Sequence, residues 1–288
     1  RAGIRRIREL TDKPFGVGVS LIMPGAPECA EVALEEQVPV INFSLGKGDW
    51  IAKRAHAYGG KVIATVVTEK HARSAVKAGA DALLVTGHEA AAHGGEVTTL
   101  VLVPAIRDAV DIPIIAAGGF ADGRGLMAAL SLGADAIALG TRLAASRESP
   151  LHENTKQMVV EKQIDETIYS ANFDGLPCRV MRTETAIELT KKPMGLFTAL
   201  RRAFSVAREM KMPITKLLAD LLKNGLKTTL QLAYFGAASL AIKKAIHDGD
   251  HTKGVQLIGQ AQGLVRDVPS VAALFEVIME QARGVREK

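Results

Sequence analysis

Three stretches of the chain carry residue types able to grip an anion or move a proton. The first is Gly87-His88-Glu89-Ala90-Ala91-Ala92-His93-Gly94-Gly95. Its small residues let a planar ligand lie close while the His93 imidazole, which takes or gives a proton near neutrality, reaches the ligand's edge. His88 is read as a turn or surface residue. A metalloprotease helix needs histidines at i and i+4, and these two are five apart, so no metal is expected here. The other stretches are Ile114-Ile115-Ala116-Ala117-Gly118-Gly119-Phe120 and Ile137-Ala138-Leu139-Gly140-Thr141-Arg142. Each is an apolar run emptying into glycine, which lets backbone N–H groups approach a phosphate, and Thr141 adds a hydroxyl. The same glycines are also compatible with tight turns alone. Gly118-Gly119-Phe120-Ala121-Asp122-Gly123 does not have dinucleotide-fingerprint spacing.

The elements that position these stretches follow a repeat. Apolar runs occur at Phe15–Leu21, Val38–Phe43, Lys61–Val67, Ala82–Thr86, Pro113–Ala117 and Ala136–Gly140, with starts 23, 23, 21, 31 and 23 residues apart. That is the period of a strand, a helix and two loops. The runs are apolar throughout, as expected of strands buried on both faces. Helical patterns over Glu69–Ala78 and Gly125–Leu132 end at Gly79 and Gly133, and the corners Ala78-Gly79-Ala80-Asp81 and Leu132-Gly133-Ala134-Asp135 resemble each other. The self-similarity favours a (β/α)8 TIM barrel, six of whose units are visible, over a flavodoxin-like sheet. In such a barrel the loops after late strands often hold phosphate. The reading divides the chain into a barrel domain, 1–162, and a mainly helical C-terminal domain, 163–288. Within the latter lie an Asn172–Pro177 turn, an extended patch at Val180-Met181 and a last helix at Ser270–Arg283.

Composition narrows the function. Aromatics are 4% of 288 residues, too few for the stacking platforms of single-stranded nucleic-acid readers. Between Lys191 and Thr228 nine basic residues face two acidic ones, a net +7 in a chain of net +5. This is a solvated helix face or a surface for phosphorylated ligands, without a motif for reading duplex nucleic acid. Two cysteines, Cys29 and Cys178, exclude a disulfide framework and favour the cytoplasm. No charged-then-apolar leader opens the chain, and its longest apolar-rich stretch, Leu230–Ile242, is too short to span a bilayer. Arg54, Arg124, Arg142 and Lys156 are given no role.

Taken together, the His93 loop, Leu102-Val103-Pro104, Ala116–Gly125 and Leu139–Arg142 resemble the nitronate monooxygenase (2-nitropropane dioxygenase-like) family. That family includes quinone reductases and flavin-dependent enoyl-acyl carrier protein reductases. The resemblance covers about Phe15 to Arg182. It implies a (β/α)8 barrel with a smaller helical domain and non-covalent FMN. By the same resemblance Ala117, Gly118, Gly119, Gly140 and Thr141 cradle the FMN phosphate, Gly87, Ala91 and Ala92 line the cofactor, and His93 is catalytic. Many members carry Gly-Gly where this chain has Ala91-Ala92. The family's first strand has no counterpart, which predicts a native polypeptide longer at its N-terminus. The Asp174–Thr183 segment with its basic successor looks closest to a branch that includes reductases of CoA thioesters.

The implied function is FMN-dependent oxidation of alkyl nitronates with oxygen. One alternative is NAD(P)H-dependent reduction of quinones, enoyl thioesters or CoA thioesters; another is a catalytically inactive FMN-binding barrel. The partners implied are small molecules, with no nucleic acid or membrane, and a homodimer is allowed.

Overall fold

The computed structural model describes residues 1–23, 25–192 and 234–287. The basic segment from 193 onward therefore lies outside the described residues. The chain folds as two compact units. One holds Arg1–His88, Gly95–Ala117 and Arg124–Ala138, and the other holds Glu89–Gly94, Gly118–Gly123 and Leu139–Lys288.

In the first unit every expected apolar run contributes a strand: β1 (Gly16–Ser20), β2 (Val40–Ser44), β3 (Lys61–Val66), β4 (Ala82–Thr86), β6 (Ile114–Ala117) and β7 (Ala136–Ala138). All adjacent pairs are parallel and the order is β1-β2-β3-β4-β6-β7. Strands laid down strictly in chain order are those of a barrel wall. A flavodoxin-like sheet reverses direction at a switch point, and this one does not. Between the strands run α1 (Ala2–Leu10, before β1), α2 (Ala26–Glu35), α3 (Asp49–His56), α4 (Glu69–Lys77), α5 (Thr99–Arg107) and α6 (Gly123–Ser131). The α4 helix starts where Thr68 accepts the His71 N–H at 3.1 Å.

Both similar corners do the same work. The Asp81 N–H donates to the Val62 carbonyl, and its Oδ2 accepts the Val62 N–H, each at 2.8 Å; Asp135 repeats this on Ile114, again at 2.8 Å twice. Each aspartate thus ties the start of its own strand to the start of the previous one. Partial burial pushes the Asp81 carboxyl up, but hydrogen bonds from His56, Val62 and Lys61 outweigh it and hold it below the usual range.

The strands are not equally buried on both faces. Ile41, Val62, Leu83 and Ile114 are fully enclosed on the helix side, with Val103 and Ile106 of α5. The opposite face is half-buried and carries polar groups: Thr65 Oγ1 donates to Asn42 Oδ1 at 3.2 Å, and the Ser20 and Ser44 hydroxyls lie 2.9 Å apart. Apolar β-branched residues at both parities had hidden this alternation.

The second unit holds a small antiparallel sheet, ordered β5 (Ala92–His93), β9 (Cys178–Met181), β8 (Thr167–Ser170). Cys178 and Val180 of β9 pack with Phe173, Ala186, Ala238 and Val255, while Met181 packs with Ala145, Val159, Ile258 and Val265. Helices α7 (Thr141–Ala144), α8 (Glu153–Glu161) and α9 (Glu184–Thr190), a helical run over 234–243 and a last helix at Val271–Arg286 belong to this unit. Residues 249–269, expected to be largely helical, are irregular apart from a 3-10 turn at Gln260–Leu264. Glycines at 249, 254, 259 and 263 weaken helix propensity there, and long-range hydrogen bonds take over. No helix among the described residues is long and apolar enough to cross a membrane.

Candidate active site

The loop after β4 is shaped at both ends by backbone demands. Gly87 donates its N–H to the Ala117 carbonyl at 2.9 Å, and a Cβ there would lie 2.0 Å from Thr99 Oγ1, so its glycine is explained by the close approach of α5. His88 lies in a turn, the first of its two expected places, and is half-buried, with Nδ1 2.9 Å from the Gly95 carbonyl, closing the loop. Both residues and Ala117 belong to the sheet unit.

The remaining predicted residues, Ala91, Ala92, His93, Gly118, Gly119, Gly140 and Thr141, all fall in the second unit. His93 sits on β5, whose antiparallel register sets Ala92 opposite Arg179 and His93 opposite Cys178. Ala92 reaches this pairing with φ of 58°, the left-handed region where a side chain is strained. The His93 Nε2 lies 2.7 Å from Asp174 Oδ2, with the two side chains 20% and 5% exposed. Asp174 is held in turn: its Oδ1 accepts the Leu176 N–H at 3.1 Å. Phe235 presents its ring to His93 at right angles, with centroids 6.3 Å apart.

A histidine whose Nε2–H donates to a buried carboxylate keeps its lone pair on Nδ1. That nitrogen can then take a proton, and Asp174 stabilises the imidazolium that results. Cys178, beside this pair, is a poor nucleophile: burial and the Asp174 charge push its thiol up to about 12. Arg179, on the other face of β9, is buried, donates to Thr167 Oγ1 at 2.8 Å and lies 5.3 Å over the Tyr169 ring. Burial lowers its pKa, and it remains a cation.

The two glycine turns converge on the same loop. Gly118 and Gly119 have φ of 104° and 85°, a backbone conformation that side chains resist. A Cβ on Gly119 would touch Glu89 at 3.4 Å, whereas one on Gly140 would meet nothing within 4 Å. Gly259 donates its N–H to Thr141 Oγ1 at 2.9 Å, and Gln260 donates to the Glu89 carbonyl at 2.9 Å. These bonds gather Glu89, Thr141, Gly259 and Gln260 in one place, with open space beside Gly140. Asp174, Cys178 and Gly259 were not singled out by sequence reasoning, because they meet His93 or Thr141 only through long-range pairing.

Of the cationic residues left without a role, Arg142 and Lys156 prove to be buried structural ties. Arg142 pairs with Asp267 at 2.5 Å, and Lys156 pairs with Glu153 at 2.8 Å.

Comparisons with known proteins agree with this architecture. Residues 1–281 match the family model described as nitronate monooxygenase. The chain is 34% identical over 286 residues to the (3aS,4S,5R,7aS)-5-hydroxy-7a-methyl-1-oxo-octahydro-1H-indene-4-carboxyl-CoA dehydrogenase of Rhodococcus jostii, covering 98% of this chain and 81% of that protein. Among solved structures, FabK from Thermotoga maritima superposes with a TM-score of 0.79 at 34% identity, over 99% of this chain and 80% of that one. A nitroalkane oxidase from Streptomyces ansochromogenes gives 0.76 at 25% identity, over 99% and 84%. The chain therefore belongs to the nitronate monooxygenase family, a TIM-barrel family of oxidoreductases that are generally flavin-dependent.

Proposed function

We propose that the protein is an FMN-dependent oxidoreductase acting on an acyl thioester, with His93 moving the proton at the carbon beside the thioester carbonyl. The observation that carries this reading is the 2.7 Å contact between His93 Nε2 and the buried Asp174 carboxylate, which makes His93 Nδ1 the proton acceptor. Gly118, Gly119, Gly140 and Thr141 would hold the FMN phosphate, with Ala117 leading into that turn and Ala91 and Ala92 beside the ring. When bound, FMN supplies the two-electron chemistry that no side chain here can perform. His93 supplies the proton, and Asp174 keeps its ring oriented and its tautomer defined. Gly87 has a structural role.

The thioester class draws support from two sides. The Rhodococcus relative, named for a carboxyl-CoA, aligns over nearly the whole chain. The net +7 of Lys191–Thr228 suits the phosphates of coenzyme A, which need ammonium and guanidinium partners. A second reading, oxidation of alkyl nitronates, draws on the nitroalkane oxidase, because a nitro group acidifies the neighbouring carbon as a thioester does. We place the protein in the cytoplasm on its two unpaired cysteines.

The test is anaerobic. Protein reconstituted with FMN is mixed separately with NADH, NADPH, a saturated acyl-CoA and propyl nitronate, and flavin absorbance is followed. Bleaching by a nicotinamide that an enoyl-CoA reverses, or bleaching by the acyl-CoA itself, is the expected result. Bleaching by the nitronate alone replaces it with the second reading, and reversal only by a quinone makes the protein a quinone reductase. An FMN-loaded protein inert to all of them is a binding barrel without catalysis. His93→Ala should slow the productive reaction about 10²–10⁴-fold while retaining FMN.

A further inference from the structure

His93, Asp174 and Cys178 bring three kinds of donor atom to one point. An imidazole nitrogen, a carboxylate oxygen and the thiol sulfur all lie within 4.8 Å of one another. The convergence is topological: the β5–β9 register sets His93 against Cys178, and the turn from Asp174 to Cys178 returns the carboxylate to the same place. Asp174 is 3% exposed and Cys178 1%, whereas the His93 side chain keeps 20% exposure. The set therefore has an enclosed back and one open side. The thiol makes a long contact to the Ser170 carbonyl, 3.7 Å, and hydrogen-bonds to the Asp174 carboxylate.

We propose that these three side chains form a site for a zinc-like divalent ion, bound by His93 Nε2, an Asp174 oxygen and the Cys178 thiolate. Imidazole with thiolate selects zinc and its neighbours, whereas magnesium and calcium require oxygen ligands. Three protein ligands with an open fourth position is the arrangement of an exchangeable zinc centre. A carboxylate and a thiolate also neutralise a dication, which removes the cost of an uncompensated charge in an enclosed pocket. Donors around a tetrahedral ion sit about 3.5 Å apart, so the wider separations within the 4.8 Å set must close by about 1 Å while the 2.7 Å His93–Asp174 contact opens. The more exposed His93 is the member able to move. On binding, the Cys178 S–H bond breaks and its proton passes to solvent. The His93 proton shifts from Nε2 to Nδ1 by exchange with water, and the Nε2 lone pair takes the metal. The ion thus competes with the hydrogen bond that defines the working tautomer of His93. The proposal concerns the metal alone and does not depend on the redox reading.

The test uses the full chain, stripped with a chelator and titrated with Co²⁺ and then Zn²⁺. One Co²⁺ per chain should bind with a thiolate-to-cobalt charge-transfer band in the near ultraviolet and the intense visible bands of a tetrahedral ion, all erased by Zn²⁺. Cys178→Ser should abolish the charge-transfer band, Asp174→Asn should weaken binding at least about 10-fold, and Cys29→Ser should change nothing. If Cys178→Ser does not fold, as judged by circular dichroism, the wild-type spectrum still decides. Cobalt bound without the thiolate band, a band lost in Cys29→Ser, undiminished affinity in Asp174→Asn, or no binding at all would overturn the site.

Discussion

A ring nitrogen is useful as a base only when something else holds the proton on its twin, and here that something is Asp174. Replacing it with Asn keeps the shape but offers an amide that can donate to Nε2, which inverts the tautomer and leaves Nδ1 protonated. Turnover of Asp174→Asn should drop about 10²–10⁴-fold with FMN content unchanged; equal loss of FMN and activity would reduce Asp174 to a structural residue. The neighbouring Ala92, at φ 58°, is strained by its methyl. Ala92→Gly should raise stability by about 1 kcal/mol, read as a higher melting temperature, and a lower one would refute the strain. At this scale the proposed site was legible in the sequence where its residues follow a strand of the repeat, as with His93, Gly118, Gly119, Gly140 and Thr141. Asp174 was not, because it lies 81 residues from the histidine it serves. A turn-forming Asp-Gly looks the same whether or not its carboxylate has a distant task.

At the scale of elements, the six parallel strands of the repeat announced themselves, and of the antiparallel ones β9 was foreshadowed by the extended patch at Val180-Met181. The six barrel strands are three to six residues long and recur with the spacing of the repeat. The two-residue β5 and the half-buried β8 carry no periodic signal, so the sheet that presents His93 could only be found in three dimensions. The repeated corners were visible, but their reason was not: each aspartate closes a reciprocal pair of backbone hydrogen bonds with the preceding strand. Asp135→Ala strands the Ile114 N–H and should cost about 1–3 kcal/mol in chemical denaturation. A loss below half a kcal/mol would show that water replaces the carboxylate.

For the molecule as a whole, one half-buried histidine sets a direction for stability against pH. The Thr155 hydroxyl donates to the Ala245 carbonyl at 2.7 Å, so it must accept from His251 Nε2 at 2.9 Å. The His251 Nδ1 is then enclosed, unprotonated and without a partner among the described residues. Burial accordingly pulls this pKa below the ordinary 6.5. The unfolded chain therefore binds this proton more readily than the fold does. Stability contributed by neutral His251 is present above pH 6.5 and is lost as pH falls below it. Denaturation midpoints measured from pH 7 to pH 5 should decline, and His251→Gln should flatten that decline; an unchanged slope would locate the acid sensitivity elsewhere.

The strand that carries His93 is joined to its sheet through only two residues, one of them in a strained backbone conformation. Pairing this brief is the first to fray on warming, long before a six-stranded wall gives way. Heat should therefore silence the protein in two stages. Activity fades reversibly at temperatures where the barrel amides still resist hydrogen exchange, and recovers on cooling provided the wall has stayed intact.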